Sequence, residues 1–506
     1  MLFDETDQLM DPLTLISLDI DALSLTLRRC AGFFAFIIER DGSAIAGVDA
    51  IRSIPLFYSA GDGVSDSAEW VRQHRAGSTL DVDAHTEFLL AGYVTGNRTL
   101  WTGVEQIGAG ELVVLREGTI ERHCYIEFDH ATASPRSREE LTAELDGVLD
   151  PIFRRLIAYA AGRQIVVPLS GGYDSRLIVT MLKLAGYENV VCFTYGTPGN
   201  AESVVSRNVA ESLGYRWLFA EYTDEEWRSN WSSSEAARFR EFSSGHCSLP
   251  LLQDWLAISK LVRTGALEKD CVIVPGHAGD FIAGSHITRM LLHPFNRRKE
   301  KVVNYIIDGH FSNAPASSRE RLTALRHRIA DALGDDCDSD EGVARSYEKW
   351  MWKERQSKYI SNSLRVYDHF GLDWWMPLWD TAFIHYWNSV PLDYRFERQF
   401  AIAYVNSKYA SATGTVDGAT PTELKRVKAG LRYSLKLMIP RRFSIFISAV
   451  LRWRRQAKTL RNLENHPLCF ASPVPRGQLR GFLSKGYNII GIYSKLYLDN
   501  DWGNVR

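Results

Sequence analysis

The chain has 506 residues, of which 45% are hydrophobic and 24% are charged. This length predicts two or three domains, and the proportions are those of a globular protein, which disfavours a disordered or fibrous chain. Lys and Arg number 59 against 61 Asp and Glu, for a net charge of −2. That balance disfavours a globally basic nucleic-acid-binding protein, so we expect no nucleic-acid partner.

The seven cysteines are scattered along the chain without a Cys-x-x-Cys pair. This distribution disfavours a disulfide framework and an obvious zinc site. The acidic first residues lack the pattern of a signal peptide, and no apolar run approaches the ~18–20 residues of a membrane helix. We therefore expect reduced thiols in a cytoplasmic protein.

The first region, residues 1–135, is predicted to be rich in β-strands. Two apolar runs flank Asp41-Gly42, a pair typical of a tight hairpin turn. A second hairpin is predicted over Leu112–Leu115 and Ile120–Tyr125, and Ala84–Ala91 between the two hairpins has helical spacing.

The second region, residues 136–430, alternates between helices and strands. The predicted helices are Glu139–Ala160, Ser175–Ala185 and Ala201–Leu213, and the predicted strands are Gln164–Leu169, Val190–Tyr195, Trp217–Tyr222 and Cys271–Val274. This alternation predicts an α/β fold with a parallel sheet and crossover helices. Asn313–Tyr347 is interpreted as an exposed helical insertion.

The third region, residues 431–506, is predicted to be a basic helical tail. Within it, residues 441–461 have helical apolar spacing, several Arg and Lys residues, and no acidic residue. Such a helix either docks on the protein with its cationic face in solvent or lies on an anionic membrane as a peripheral contact.

The most informative motif follows the first strand of the second region and reads Ser170-Gly171-Gly172-Tyr173-Asp174-Ser175. Glycines let a backbone approach a ligand closely, and the helix that follows offers unpaired N–H groups, so the motif predicts an anion site of the kind that holds phosphate. Asp174 would repel phosphate unless a divalent cation lay between them. The alternative is a turn whose Gly and Ser residues only cap the helix.

The motif resembles the pyrophosphate-binding loop of ATP pyrophosphatases, and two further segments are similar to the asparagine synthetase-like family. They are Pro275–Gly284, which contains Gly276-His277-Ala278-Gly279-Asp280, and Pro377-Leu378-Trp379-Asp380. The resemblance covers roughly residues 30–430. It implies a reduced Ntn-hydrolase-like (glutaminase-like) first domain and a second domain of the PP-loop, adenine nucleotide α-hydrolase-like type.

The resemblance implies ATP-dependent amide formation, in which a carboxylate is activated as an acyl-adenylate and pyrophosphate leaves, with ATP and Mg²⁺ required. By resemblance, the residues that bind the nucleotide are Leu169, Ser170, Gly171, Gly172, Asp174, Ser175, Phe193 and Gly276. The resemblance implies that Leu169 and Phe193 lie beside adenine and that Asp174 and Asp280 bind Mg²⁺.

A catalytic cation is also implied by the resemblance. The segment Arg426-Val427-Lys428 matches the family position of a lysine that stabilises the transition state, so Lys428 is the candidate and Lys425 its alternative. A solvated cluster of basic residues is the competing interpretation.

Two departures from the family pattern bear on the substrates. Leu2 stands where glutamine-dependent members carry a nucleophilic Cys, so we expect an inactive first domain and nitrogen from ammonia, a partner amidotransferase or a substrate amine. His277 replaces a family Glu, which makes free aspartate a less obvious substrate. His277 is either a general base oriented by Asp373 or a structural hydrogen-bonding residue.

Three functions follow as alternatives. The first is a ligase that acts on a small-molecule, peptide or sugar carboxylate, the second is an asparagine synthetase fed with ammonia, and the third is a non-catalytic nucleotide-binding scaffold. A homodimer is an open expectation. A sulfur-transferring tRNA enzyme is disfavoured because paired cysteines are missing.

Overall fold

The computed structural model describes residues 2–61, 63–116, 118–130, 135–315, 318–414 and 457–499. Lys425, Lys428 and most of the basic segment 441–461 lie outside these ranges, so their proposed roles stay predictions.

The described residues of the first region form short antiparallel sheets and three α-helices. Its strands are β1 (Leu2–Phe3), β2 (Ala31–Gly32), β3 (Ala35–Arg40), β4 (Ser43–Val48), β5 (Phe57–Ser59), β6 (Gly63–Ser65), β7 (Glu105–Gln106), β8 (Glu111–Arg116) and β9 (Thr119–Cys124). Its helices are α1 (Ile20–Arg29), α2 (Ala68–His74) and α3 (Val82–Ala91). Four strands pair in the order β3-β4-β8-β9, three in the order β6-β5-β7, and β1 pairs with β2.

Both predicted hairpins are confirmed. Strands β3 and β4 pair in register from Ala35–Val48 to Arg40–Ser43, and strands β8 and β9 pair from Glu111–Cys124 to Arg116–Thr119. The first turn needs positive φ at two positions, and Asp41 and Gly42 have φ of 51° and 70°. Asn, Asp and Gly tolerate this conformation better than other residues, which explains why the pair Asp-Gly was informative.

The second region is built on a parallel sheet. Its strands are β10 (Ile165–Pro168), β11 (Val190–Gly196), β12 (Arg216–Glu221), β13 (Val272–Ile273) and β14 (Asp373–Trp374). They lie in the order β12-β11-β10-β13-β14, and every neighbouring pair is parallel. The predicted parallel sheet is therefore confirmed, and the carboxyl ends of all five strands meet at one edge.

Helices surround this sheet. They are α4 (Arg138–Ala160), α5 (Tyr173–Leu184), α6 (Ala201–Ser212), α7 (Asp224–Trp231), α8 (Ser234–Ser244), α9 (Trp255–Arg263), α10 (Gly279–Ile282), α11 (Lys299–His310), α12 (Arg319–Ala332), α13 (Asp340–Met351), α14 (Arg365–His369), α15 (Thr381–Ser389), α16 (Leu392–Arg395), α17 (Gln399–Thr413), α18 (Arg476–Lys485) and α19 (Ile489–Leu498). A π-helix spans Trp352–Ile360, and short 3₁₀ turns occur at Pro12–Ser17, Pro294–Asn296, Ser361–Leu364, Pro377–Trp379 and Phe396–Arg398.

The expected exposed insertion over Asn313–Tyr347 is wrong in its exposure, although it is helical. Helix α12 is largely exposed, but helix α13 buries Val343, Tyr347 and Trp350 in the main core. Its apolar residues recur at helical spacing and pack inward, so the charged start of the segment was a poor guide to its second half.

One large hydrophobic core links the first region, the parallel sheet and the described tail. Phe33 from the first region packs edge-on against Trp375 with ring centroids 5.1 Å apart, and Phe88 stacks on Tyr497 of helix α19 at 5.2 Å. The described part of the tail is therefore packed against the body of the protein.

Buried ion pairs lie around the π-helix and helix α13. In the π-helix, Lys358 Nζ donates to Glu354 Oε2 at 2.5 Å and to the carbonyl of Gly96 at 2.6 Å, and the side chains are 1% and 5% exposed. Glu348 accepts from Arg395 at 2.7 Å and lies 2.7 Å from His130 Nε2. A buried charge needs such partners because its desolvation is costly.

All seven cysteines are free thiols. Within the described ranges, no helix is both long and apolar enough to cross a membrane.

Candidate functional site

The Ser170–Ser175 motif forms the turn between β10 and α5, at the carboxyl edge of the sheet. The backbone N–H of Ser170 donates to Ser175 Oγ at 3.2 Å, and the N–H of Gly172 donates to Ser170 Oγ at 3.1 Å. Gly172 is the N-cap of α5, and no side chain caps the helix. The first N–H groups of α5 are thus left for a ligand, which is the arrangement that binds phosphate.

The two glycines of this loop are not required by backbone conformation. Neither Gly171 nor Gly172 has positive φ, and a Cβ on Gly171 would meet no atom closer than 3.7 Å. Backbone conformation alone would therefore allow other residues at these two positions. Because glycine has no side chain, a ligand can approach the backbone at these two positions closely.

Glycines of the second motif bring it against the start of α5. A Cβ on Gly276 would lie 2.8 Å from the backbone nitrogen of Ser175, and a Cβ on Gly279 would lie 3.2 Å from the carboxyl carbon of Asp174. Between them Ala278 adopts a left-handed conformation with φ of 62°, which is strained for a residue with a side chain. These close approaches join motifs that lie about a hundred residues apart in the chain.

The structure brings Asp174 and Asp280 together as predicted. The backbone N–H of Asp280 donates to Asp174 Oδ2 at 2.8 Å. Enclosure by protein and the charge of Asp280 raise the pKa of Asp174 to about 7, and Arg398 opposes this rise. Arg398 Nη1 lies 3.2 Å from Asp174 Oδ1.

This donor set fits Mg²⁺. Two neighbouring carboxylates repel one another, and a divalent cation relieves that repulsion. No cluster of three or more His, Cys, Asp or Glu side chains suited to a metal occurs among the described residues. Mg²⁺ commonly takes one or two carboxylates and completes its shell with phosphate oxygens and water, so Asp174 and Asp280 suffice on the protein side.

A cavity of about 530 Å³ opens beside this loop. The predicted residues on its wall are Ser170, Gly172, Asp174, Ser175, Gly276 and His277. The other walls come from residues 249–254, from the π-helix and the turn after it, and from Phe470, Ile489, Ile490 and Tyr493 of the tail. This volume suits a small-molecule site.

The predicted contacts of Leu169 and Phe193 with adenine need correction. Their side chains are 1% and 0% exposed and do not line the cavity. The backbone N–H of Leu169 donates to the carbonyl of Phe193, and the carbonyl of Leu169 accepts from the hydroxyl of Thr194. Pro168, the residue before Leu169, and Tyr195, two residues after Phe193, line the cavity instead.

His277 lies on the cavity wall, but Asp373 does not orient it. Asp373 begins β14 at the opposite end of the sheet, where its carboxylate pairs with Arg163 at 2.5 Å. The Oγ of Ser363 is 3.3 Å from both ring nitrogens of His277. Burial lowers the pKa of His277, while the charges of Asp254 and Asp280 oppose that shift.

The third motif supports the site from outside. Asp380 caps helix α15 by accepting from the N–H of Ala382, and it pairs with Arg155 at 2.8 Å. Its neighbour Leu378 would meet a Cβ on Gly279 at 2.5 Å. The motif therefore holds the second motif in place without facing the cavity.

Three features of the site were missed by sequence reasoning. They are Arg398 beside Asp174, Asp254 and Arg355 on the cavity wall, and the tail residues that close it. None stands in a recognisable motif, and each reaches the site through long-range packing.

Leu2, the residue that replaces a nucleophilic Cys in the family pattern, is buried in β1 and pairs with Gly32. An aliphatic side chain has no nucleophilic chemistry, which agrees with the expectation of an inactive first domain without testing it.

Comparison with known proteins adds to this geometry. The family model described as Asparagine synthase matches residues 158–442, more than half of the chain. A protein described as a probable glutamine-hydrolyzing asparagine synthetase of Acanthamoeba polyphaga mimivirus is 37% identical over 79 residues. That match spans 15% of this chain and 14% of the relative. On the family match and the loop geometry together, the chain belongs to the asparagine synthase family.

Proposed function

We propose that the protein is an ATP-dependent carbon–nitrogen ligase that activates a carboxylate as an acyl-adenylate and then forms an amide. The observation that carries the proposal is the uncapped α5 terminus beside Asp174, which lines the cavity and accepts from the backbone N–H of Asp280. A phosphate site next to paired carboxylates suits a nucleotide triphosphate that arrives with Mg²⁺.

The reaction has two steps. A carboxylate oxygen attacks the α-phosphorus of ATP, the bond to the bridging oxygen breaks, and pyrophosphate leaves. An amine then attacks the acyl carbon and displaces AMP. Mg²⁺ held by Asp174 and Asp280 supplies charge neutralisation to the phosphates when bound.

The chain's own residues supply positioning and a proton acceptor. The N–H groups of α5 and the hydroxyls of Ser170 and Ser175 orient the departing pyrophosphate. Burial lowers the pKa of His277, so the neutral imidazole keeps one unprotonated ring nitrogen, which accepts the proton that the attacking amine loses. Lys428, by family resemblance, stabilises the charge that develops on the phosphates.

The nitrogen source is also part of the proposal. We propose that ammonia, a partner amidotransferase or an amine on the substrate supplies the nitrogen. Aspartate as the carboxylate would make the protein an ammonia-using asparagine synthetase. A scaffold that binds nucleotide without chemistry is less well supported, because such a scaffold has no use for two carboxylates held together.

The test is ATP–pyrophosphate exchange with a panel of carboxylates, in parallel with Mg·ATP binding by calorimetry. Asp174→Ala is expected to abolish exchange and to weaken Mg·ATP binding at least tenfold. Lys428→Met is expected to abolish exchange while Mg·ATP binding persists, whereas Lys425→Met retains exchange. Asp331→Asn, on the exposed face of α12, controls for the loss of one negative charge.

The proposal fails if no carboxylate supports exchange and Asp174→Ala binds Mg·ATP as the unmodified protein does. Exchange that persists in Lys428→Met but disappears in Lys425→Met would move the catalytic role to Lys425. Release of AMP with added ammonia, and none with glutamine, is the expected result for the nitrogen source.

A further inference from the structure

The segment between helices α10 and α11 exposes two large apolar side chains. Residues 289–301, here called the 289–301 loop, follow α10 and end in the first turn of α11. The side chains of Met290 and Phe295 in this loop are 71% and 66% exposed, whereas Leu291 beside Met290 is buried. Exposed apolar side chains that lie together mark a surface that contacts a partner or a membrane.

Hydrogen bonds within the loop hold the backbones of Met290 and Phe295 close together. The side-chain amide of Asn296 donates to the carbonyl of Met290 at 2.7 Å and to the carbonyl of Leu291 at 3.2 Å. The backbone N–H of Phe295 donates to Nδ1 of His293 at 3.2 Å. Because Asn296 directly follows Phe295, these bonds join the two exposed residues into one apolar patch.

Positive charge is concentrated in the same loop. It contains five Arg and Lys residues and one Glu, in a chain whose net charge is −2. Arg297 pairs with Asp340 at 3.0 Å, and Lys299 pairs with Asp335 at 2.8 Å. Residues two apart on a helix do not face the same side, so the aspartate that binds Lys299 lies away from Lys301.

Three basic residues of the loop remain available to an anion from outside the protein. Arg289 and Arg298 are exposed, and among the described residues neither they nor Lys301 pairs with an acidic side chain. The Nζ of Lys301 lies 4.3 Å from the centroid of the Phe295 ring, so one ammonium group adjoins the apolar patch. Apolar side chains flanked by Lys and Arg suit the boundary between anionic lipid headgroups and acyl chains.

A second exposed apolar pair, in the first region, lacks this charge pattern. Leu9 and Leu13 are 62% and 67% exposed. Residues 4–13 contain four acidic residues and no Lys or Arg, so an anionic surface would repel this pair. Apolar exposure is therefore common to both places, and the combination with positive charge distinguishes the 289–301 loop.

The side chains of the loop fit a membrane better than a nucleic acid. Proteins bind single-stranded nucleic acids with basic side chains and with aromatic rings that stack on the bases. Met290 is the more exposed of the two apolar residues, and it has no ring to stack. Insertion among acyl chains requires only apolar surface, which Met290 and Phe295 both supply.

We propose that the 289–301 loop binds the surface of an anionic phospholipid bilayer. Met290 and Phe295 insert at the boundary between headgroups and acyl chains. Arg289, Arg298 and Lys301 lie beside the lipid phosphates. None of these residues lines the cavity, so the inference is independent of the proposed ligase function.

The test is cosedimentation of the full chain with vesicles of phosphatidylcholine alone or with about 30% phosphatidylserine. We expect the unmodified protein to bind the anionic vesicles at least about tenfold more tightly than the neutral ones. Met290→Ser/Phe295→Ser is expected to weaken binding to the anionic vesicles about 10- to 100-fold. Arg289→Gln/Arg298→Gln is expected to weaken it by a similar factor at low salt and by less at high salt.

The matched control is Leu9→Ser/Leu13→Ser, which removes an apolar pair of similar exposure and is expected to change vesicle binding less than twofold. Circular dichroism verifies that each variant is folded. Mg·ATP affinity is expected to change less than twofold in Met290→Ser/Phe295→Ser. A tenfold loss of that affinity would show that the loop serves the nucleotide site and would overturn the inference.

The inference is also overturned if the unmodified protein does not bind the anionic vesicles. Vesicle binding by Met290→Ser/Phe295→Ser that equals that of the control variant would overturn it too, because another part of the chain, such as residues 441–461, would then be responsible. Binding of poly(U) without binding of vesicles, weakened in Arg289→Gln/Arg298→Gln, would assign the loop to a nucleic acid instead of a membrane.

Discussion

Gly276→Ala is expected to weaken Mg·ATP binding although it adds only one methyl group. The new Cβ would lie 2.8 Å from the backbone nitrogen of Ser175, about 0.6 Å closer than the ordinary contact of 3.4 Å. The obstacle is backbone, so no side-chain rotation relieves it, and the start of α5 has to move away from β13. Overpacking of this kind costs about 1–3 kcal/mol of stability.

The effect on binding follows from the same displacement. The N–H groups proposed to hold pyrophosphate belong to the displaced turn, and a misplacement on the order of 1 Å lowers rates by about 100-fold. We expect Mg·ATP affinity, measured by calorimetry, to fall about 10- to 100-fold at a temperature where circular dichroism shows the variant folded. Gly147→Ala is the matched control, because it lies within helix α4 with no atom within 4 Å of the new Cβ. Mg·ATP affinity within twofold of the unmodified protein for Gly276→Ala would refute the proposed contact of this loop with the nucleotide.

Four further variants test the buried charges, the first three of them by chemical unfolding. Lys358→Met leaves the buried charge of Glu354 uncompensated and is expected to lower the free energy of unfolding by about 3–5 kcal/mol. The double variant Lys358→Met/Glu354→Leu removes both charges and is expected to lower it by less. A larger decrease in the double variant would contradict the argument. Arg395 and His130 lower the pKa of Glu348 to about 2, against the effect of burial. The stability that this carboxylate contributes is therefore present above its unfolded pKa of about 4.5 and is lost as the pH falls towards 2. The difference in unfolding free energy between the unmodified protein and Glu348→Gln is expected to narrow over that interval, and a constant difference would refute the argument. Asp380→Asn is expected to lower the melting temperature while Mg·ATP affinity of the folded variant changes less than threefold, and selective loss of affinity would show that the third motif faces the ligand.

Local patterns predicted most of the elements that carry the site. The Asp41-Gly42 turn needs two residues that tolerate positive φ, and these adjacent residues alone indicate it. The three strands and two helices from Ile165 to Glu221 agree with their predicted bounds within about two residues, because their apolar periodicity changes clearly at each turn. Asp174 and Asp280 were placed together by family resemblance, and the close packing at Gly276 and Gly279 gives the physical reason.

The parts of the site that could not be predicted from the sequence depend on long-range packing. Arg398 reaches Asp174 from 224 residues away along the chain, and no periodicity encodes such a contact. Asp373 was assigned to the site because it lies near the third motif, but it begins its strand and therefore lies at the amino edge of a parallel sheet. A shift of two or three residues along a strand therefore decides whether a residue lies at the carboxyl edge of the sheet, where ligands bind, or at the amino edge.

The π-helix shows how one segment joins the first region to the cavity. Glu354 and Lys358 point towards Gly96 and form a buried pair, while Arg355 and Tyr359 line the cavity. Both pairs are four residues apart and are displaced from one another by a single residue, so they occupy adjacent faces of the same helix. The charges of the first pair cancel locally, which allows the pair to be buried. A first region without catalytic residues would therefore still be needed, because it supplies the backbone groups of Gly96 that anchor the segment lining the cavity.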